Sequence, residues 1–214
     1  MGSGKRAPGP SSRPGRRARQ KAETGQLILE AAKELFAEKG FEKTTIRDIA
    51  RQAGVGVGTV LNHYPDKASL LIAALLGDLT GIQEETLAAM PQGLAFREQC
   101  LHIVRPFFAY YARRPGLSRT LLKESLFIPG PWGAKLQQEA LFFLEVVAGL
   151  VEQAKSRGEI RPEAKAYLAA SSLFACYLAV LNHGLSQPAF VPESLIALLG
   201  SMLDQFLAGI GPRG

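Results

Sequence analysis

The sequence predicts an all-α fold, with three helices at the N-terminal end followed by a longer helical bundle. Three observations carry that expectation. Apolar residues recur at three- and four-residue steps through most of the chain. No segment alternates like a half-buried strand. Pro and Gly fall at intervals that suit helix ends. With 214 residues and 47% apolar content, the chain is long enough to bury a real core in one or two units.

Residues 1–20, MGSGKRAPGPSSRPGRRARQ, are rich in Gly, Pro, Ser and Arg. They offer little apolar surface to bury and read as a disordered basic arm. From about Lys21 to Lys39, Leu27, Ile28, Ala31, Ala32, Leu35 and Phe36 repeat with helical spacing, and Gly40 closes the helix. Thr45-Ile46-Arg47-Asp48 is a capping-box pattern with Asp in the place of the usual Glu, starting a helix over 46–53. Gly54 stops it, a second short helix spans about 57–64 before Pro65, and Asp66 caps a longer one running toward Met90. Further helices are expected near 94–113, with a kink at Pro106, and near 116–127, 133–157, 163–183 and 193–209. The expected division is an arm over 1–20, a three-helix unit over 21–70 and a bundle over 71–214.

Charge is unevenly placed. Residues 1–70 carry 13 Lys/Arg against 7 Asp/Glu, and residues 71–214 carry 12 against 12, so the whole excess of +6 lies in the first third. A basic head on a neutral body fits an anionic partner. Cys100 and Cys176 are the two cysteines, too few for a disulfide framework and consistent with a reducing cytoplasm. No apolar run follows the basic N-terminal residues as in a signal peptide. The apolar core near Ala166 to Leu181 is interrupted by Ser171 and Ser172 and falls short of the roughly 20 residues of a membrane span, so no membrane partner is expected.

The stretch AGVGVGTV, residues 53–60, imitates a phosphate-binding turn. Its context excludes one. Gly54-x-Gly56-x-x-Thr59 lacks the third glycine of a dinucleotide fingerprint and follows a helix rather than a strand, and no Gly-Lys-Ser/Thr is present. A helix-turn-helix fits better. Ile46, Ile49 and Ala50 stripe the first helix, Gly54 turns the chain, and Val55 and Val60 plug the junction. Val57, Val60 and Tyr64 share a face of the second helix, opposite Gly58, Thr59, Asn62 and His63.

The run ILEAAKELFAEKGFEKTTIRDIARQAGVGVGTVLNHYPDKASLL, residues 28–71, resembles the N-terminal domain of the TetR family of bacterial transcription regulators. The resemblance lies in AA-x-x-LF-x-x-x-GF, TT-x-x-x-IA, AGV-x-x-GT and P-x-K-x-x-L. It implies a DNA-binding unit followed by a ligand-binding and dimerisation bundle. Thr45 would cap its helix on the DNA backbone and Arg47 would meet a phosphate. Val57, Gly58 and Thr59 would open the recognition helix, with the Thr59 methyl near a thymine methyl and Asn62 on an adenine edge. His63 and Lys67 would contact phosphates. Leu61 departs from the pattern, since the family usually carries Tyr there, and Val57 stands where Lys is common. Residues 22–70 hold 6 basic and 7 acidic residues, so Arg16, Arg17, Arg19 and Lys21 of the arm are expected to supply the missing attraction to DNA.

The resemblance further implies that the bundle binds a small effector and forms a homodimer. Aromatics concentrate between residues 96 and 143, which suits an apolar or aromatic effector. His102, Arg105, Phe108, Tyr111, Trp132, Phe143 and Tyr177 are the candidate ligand residues. Leu173, Tyr177, Leu181, Leu195, Leu199, Met202 and Phe206 are the candidate dimer residues, on helices with more apolar surface than a monomer easily hides. No catalytic residue, cofactor or metal ligand is expected. No Cys-x-x-Cys, His-Glu-x-x-His or Gly-x-Ser-x-Gly occurs. The expected function is a cytoplasmic, ligand-responsive dimeric repressor of a palindromic operator. The alternative is a helical interaction module whose helix-turn-helix no longer reads DNA.

Overall fold

The computed structural model describes residues 15–210. Within them run α1 (Arg16–Lys39), α2 (Ile46–Gln52), α3 (Val57–His63), α4 (Lys67–Ala88), α5 (Phe96–Arg113), α6 (Pro115–Ser125), α7 (Gly130–Ser156), α8 (Ala166–Ser186) and α9 (Pro192–Ile210). The fold is all-α, as its periodicity predicts.

The helix ends follow local chemistry. The Thr45 hydroxyl accepts from the Asp48 amide at 3.1 Å, while the Asp48 carboxylate accepts from the Thr45 amide at 3.2 Å, completing the capping box. Gly54 has φ 69° in the α2–α3 turn, a conformation that costs a side-chain-bearing residue about 1 kcal/mol or more. Tyr64 precedes Pro65 and is extended, which ends α3. The Asp66 carboxylate accepts from the Ser69 amide and starts α4. Pro106 lies inside α5 as expected.

One expectation about the elements is corrected. Residues 16–20 are not an irregular arm but the first turns of α1. After Pro14 and Gly15 the run RRARQKAE contains no helix breaker and consists mostly of strong helix formers. The rest of the expected arm, residues 1–14, lies outside the described residues. The expected boundary at 70/71 falls within α4, inside an unbroken buried run from Ser69 to Leu76.

That run explains the architecture. One core holds Ile28, Leu35 and Phe36 of α1, Ile49 of α2, Val60 of α3, Leu70, Leu71 and Leu75 of α4, and Leu121 of α6. The other is built mainly from α5, α7, α8 and α9 around Phe96, Phe108, Val151, Ala170 and Leu199. Leu79 of α4 packs against both. Asp78, one residue earlier, receives Lys33 of α1 and the Tyr110 hydroxyl of α5. Helix α4 therefore contributes to both cores.

The expected dimer residues point elsewhere. Leu173, Leu181, Leu195 and Leu199 are all at most 7% exposed and belong to the subunit's own core. Tyr177, Met202 and Phe206 pack partly against it. The helices α8 and α9 are apolar nearly all round, so periodicity alone does not choose a face. Their outward faces carry Leu168, Ser172, Ala175 and Ala179, and Ser194, Ala197, Leu198 and Ser201. By length and composition α8 is apolar enough to cross a membrane, but in the fold it packs on α6, α7 and α9.

Candidate nucleic-acid interface and ligand cavity

Helices α1, α2 and α3 present one exposed face. Ile49, Ala50 and Val60 are sealed beneath it, which fixes α2 against α3. Arg47, Gly58 and Asn62 project outward, and Val57 and Leu61 are 39% and 44% exposed. Val57 thus parts from the buried Val60 and Tyr64, whose face its spacing predicts for it. A side-chain carbon added at Gly58 would meet nothing within 4 Å, so another backbone can approach closely there.

The basic start of α1 lies beside α3. Arg17, Gln20, Lys21 and Thr24 line one open groove with Thr59, Asn62 and His63. Positions 17, 21 and 24 share a helix face, as their spacing requires. Arg16 and Arg19 line a separate concavity with Gln20 and Glu23. The four arm cations are therefore divided between two faces.

Two expected phosphate ligands have neighbours within the protein. The Lys67 ammonium donates to the Phe41 carbonyl at 2.8 Å and lies 4.2 Å over the Phe41 ring. It braces the turn after α1 rather than projecting beside α3. His63 is half-buried, with its ring against Gly25 of α1. Thr45 is exposed, but its hydroxyl is occupied by the capping box and donates to Asp48 at 2.6 Å. That bond, together with the Thr45 amide, holds the Asp48 carboxyl below its usual range.

The bundle forms a partly open cavity of about 620 Å³, within the range of small-molecule sites. Helices α4, α5, α6, α7 and α8 all contribute to its wall, which is dominated by Leu, Ile and Phe. Of the seven expected ligand residues, Tyr111, Phe143 and Tyr177 line it. The others do not. His102 bonds the Thr86 carbonyl at 3.2 Å, and Arg105 faces solvent. Phe108 is sealed behind the wall, stacked on Tyr177 with ring centroids 5.7 Å apart. Trp132 leaves the cavity altogether and packs on Tyr64.

The hydroxyls of Tyr111 and Tyr177 lie 3.0 Å apart. Burial pushes the Tyr111 phenol up to about 12, and Tyr177 is raised well above the usual range by burial and by its neighbour. Both therefore remain protonated at neutral pH. A pair of hydroxyls shares one hydrogen bond, so one O–H remains to donate elsewhere. Aromatic density pointed to this wall but missed the face of α4 formed by Ile72, Leu76, Leu79, Thr80 and Gln83. That face could have been read from the i, i+4, i+7 spacing of Leu76, Thr80 and Gln83.

The cavity reaches the recognition unit through the α6–α7 corner. Phe127, Ile128, Gly130 and Gly133 line the cavity there, and Ile128 and Trp132 pack against the N-terminal core. A side-chain carbon at Gly133 would collide with the Ile128 carbonyl, so only glycine allows the corner to close this tightly.

Comparison with known proteins places these features in context. Residues 28–74 match the bacterial regulatory proteins of the tetR family. The chain is 25% identical over 187 residues to the HTH-type transcriptional regulator UidR of Escherichia coli K12, covering 84% of this chain and 93% of that protein. It is 29% identical over 171 residues to the HTH-type transcriptional repressor BepR of Brucella suis, covering 77% and 81%. Its fold superposes on Thermus thermophilus FadR, a TetR-family repressor solved with lauroyl-CoA, with a TM-score of 0.71, 27% identity, and coverage of 89% and 96%. The fold of Bacillus subtilis FadR is also similar, with a TM-score of 0.67, 22% identity, and coverage of 86% and 98%.

Proposed function

Because this chain belongs to the TetR family of bacterial regulatory proteins, we propose that it is a dimeric cytoplasmic repressor released from a palindromic operator by an apolar effector. It is a transcription regulator and not an enzyme. The observation that carries the release mechanism is α4. Its Leu70, Leu71 and Leu75 belong to the core beneath α2 and α3, while its Leu76, Thr80 and Gln83 form a wall of the cavity. An effector that repositions this wall moves the DNA-reading helices with it. Affinity for DNA then falls by the effector's preference for the displaced state.

On the DNA side, Asn62 would read an adenine edge, while Val57 and Leu61 would meet thymine methyls. Arg47, Arg17 and Lys21 would hold phosphates. On the far side, the small outward residues of α8 and α9 would let two subunits meet closely in a four-helix seam. The lauroyl-CoA bound to Thermus thermophilus FadR supports an acyl-bearing effector for this apolar cavity.

The test is to select an operator from a random duplex pool and follow its binding by fluorescence anisotropy. Saturating lauroyl-CoA should weaken operator binding at least tenfold. Sequence-selective binding that acyl compounds leave unchanged would refute effector release. Binding without sequence preference would favour a protein-interaction role instead.

A further inference from the structure

Gln83 is 8% exposed and lies on the cavity wall of α4. Of the other buried polar side chains among the described residues, Ser69 alone also makes no side-chain hydrogen bond, and it does not line the cavity. Thr44 donates to the Leu35 and Gly40 carbonyls, Thr86 to Ile82, and Ser118 to Tyr111, while Gln99 accepts from Arg157. The Gln83 amide makes no hydrogen bond to any described residue, yet no fully sealed polar side-chain atom among the described residues lacks a partner. Its small remaining exposure therefore lies at the amide, toward the cavity. A primary amide brings two N–H donors and one carbonyl acceptor to a mostly apolar wall.

The other polar groups limit what that amide can meet. Among the lining residues Glu139 is the one formal charge, and no cation is present. An ionised carboxylate placed there would lose its hydration with nothing to neutralise it. The unshared O–H of the Tyr111–Tyr177 pair adds a further donor to the same cavity. The wall thus offers several donors to an uncharged acceptor.

We infer that Gln83 is the polar anchor of the effector and selects an uncharged acyl carbonyl, that of an ester or thioester, over a free carboxylate, by donating to its carbonyl oxygen. This rests on the reading of the cavity as an effector site. It places the recognised group against α4, the helix shared with the DNA-reading unit, so discrimination and release act through one element.

The experiment measures displacement of Nile red from the full-length protein by octane, methyl octanoate, octanoate and octanoyl-CoA. Methyl octanoate and octanoyl-CoA should each bind about tenfold more tightly than octane, with octanoate weaker than the methyl ester. In Gln83→Leu and Gln83→Met, which keep the volume, octane binding should stay within twofold and the ester advantage should vanish. An ester advantage that persists in both variants overturns the inference, as does an ester no tighter than octane. Tight octanoate binding overturns the uncharged class. Binding of octanoyl-CoA without the methyl ester assigns recognition to the CoA portion and overturns it too. If neither octane nor any acyl compound displaces the dye, the effector-site reading itself fails.

Discussion

The Trp132 ring lies 5.5 Å from the Tyr64 ring, joining the cavity corner to the end of the recognition helix. Tyr64 is 5% exposed, and its hydroxyl donates to the Gly25 carbonyl of α1 at 3.3 Å. Trp132 sits between Gly130 and Gly133, both of which line the cavity. The wall of the cavity thus touches the DNA-reading unit at a second place besides α4.

Trp132→Ala should therefore loosen coupling more than DNA binding. Aromatic pairs of this kind contribute about 0.5–1.5 kcal/mol beyond the area they bury. Operator affinity without effector should stay within about threefold, whereas the effector-induced loss should shrink severalfold. Anisotropy titrations with and without effector measure both. An unchanged effector response would assign the coupling to α4 alone.

The capping box makes a prediction about acid. Asp48 is depressed chiefly by its hydrogen bond from the Thr45 hydroxyl. A depressed carboxylate stabilises the fold above its unfolded pKa, near 3.8, and loses that contribution as pH falls through its folded value. Thr45→Ala should cost about 1 kcal/mol at neutral pH. Its deficit relative to the parent should narrow below about pH 4, as urea unfolding at pH 7 and pH 3 would reveal. A deficit that widens in acid would show that the box acts otherwise.

The two faces of the α1 start should separate in salt dependence. Arg17 and Lys21 share a groove with Thr59 and Asn62, whereas Arg16 and Arg19 do not. Each lost phosphate contact lowers the salt slope of binding by about 0.9. Replacing Arg17 and Lys21 by Ala should lower the slope by about 2, and replacing Arg16 and Arg19 should lower it less. Equal slopes for the two double variants would mean that the groove does not select between them.

Dimerisation should fail when the outward seam is charged. Ala175 and Ser201 lie on the exposed faces of α8 and α9 with Leu168 and Leu198. Ala175→Glu combined with Ser201→Glu places like charges across a close helix contact. Sedimentation should show a monomer with an unchanged helical signal, and operator affinity should fall by two orders of magnitude or more as bivalent binding is lost. A persistent dimer would place the seam elsewhere.

Much of this protein is legible from local chemistry. Thr45 with Asp48, Gly54, Pro65 and Asp66 set helix ends through contacts only a few residues apart, so the helix-turn-helix can be read directly. The start of α1 was misread because the composition of residues 1–14 colours the helix-forming run that follows. The contact of Lys67 with the Phe41 carbonyl is not legible in this way, because that partner is 26 residues away.

The sequence by itself determined the helices, the recognition unit and the family resemblance, because caps, turns and periodicity are short-range. Only the tertiary structure decided which aromatics face the cavity, which face of α8 turns outward and where Gln83 points. Those choices depend on how helices distant in sequence pack together. An aromatic on an all-apolar helix is equally at home on either side until its neighbours are in place. Tyr177, on the apolar α8, faces the cavity for that reason.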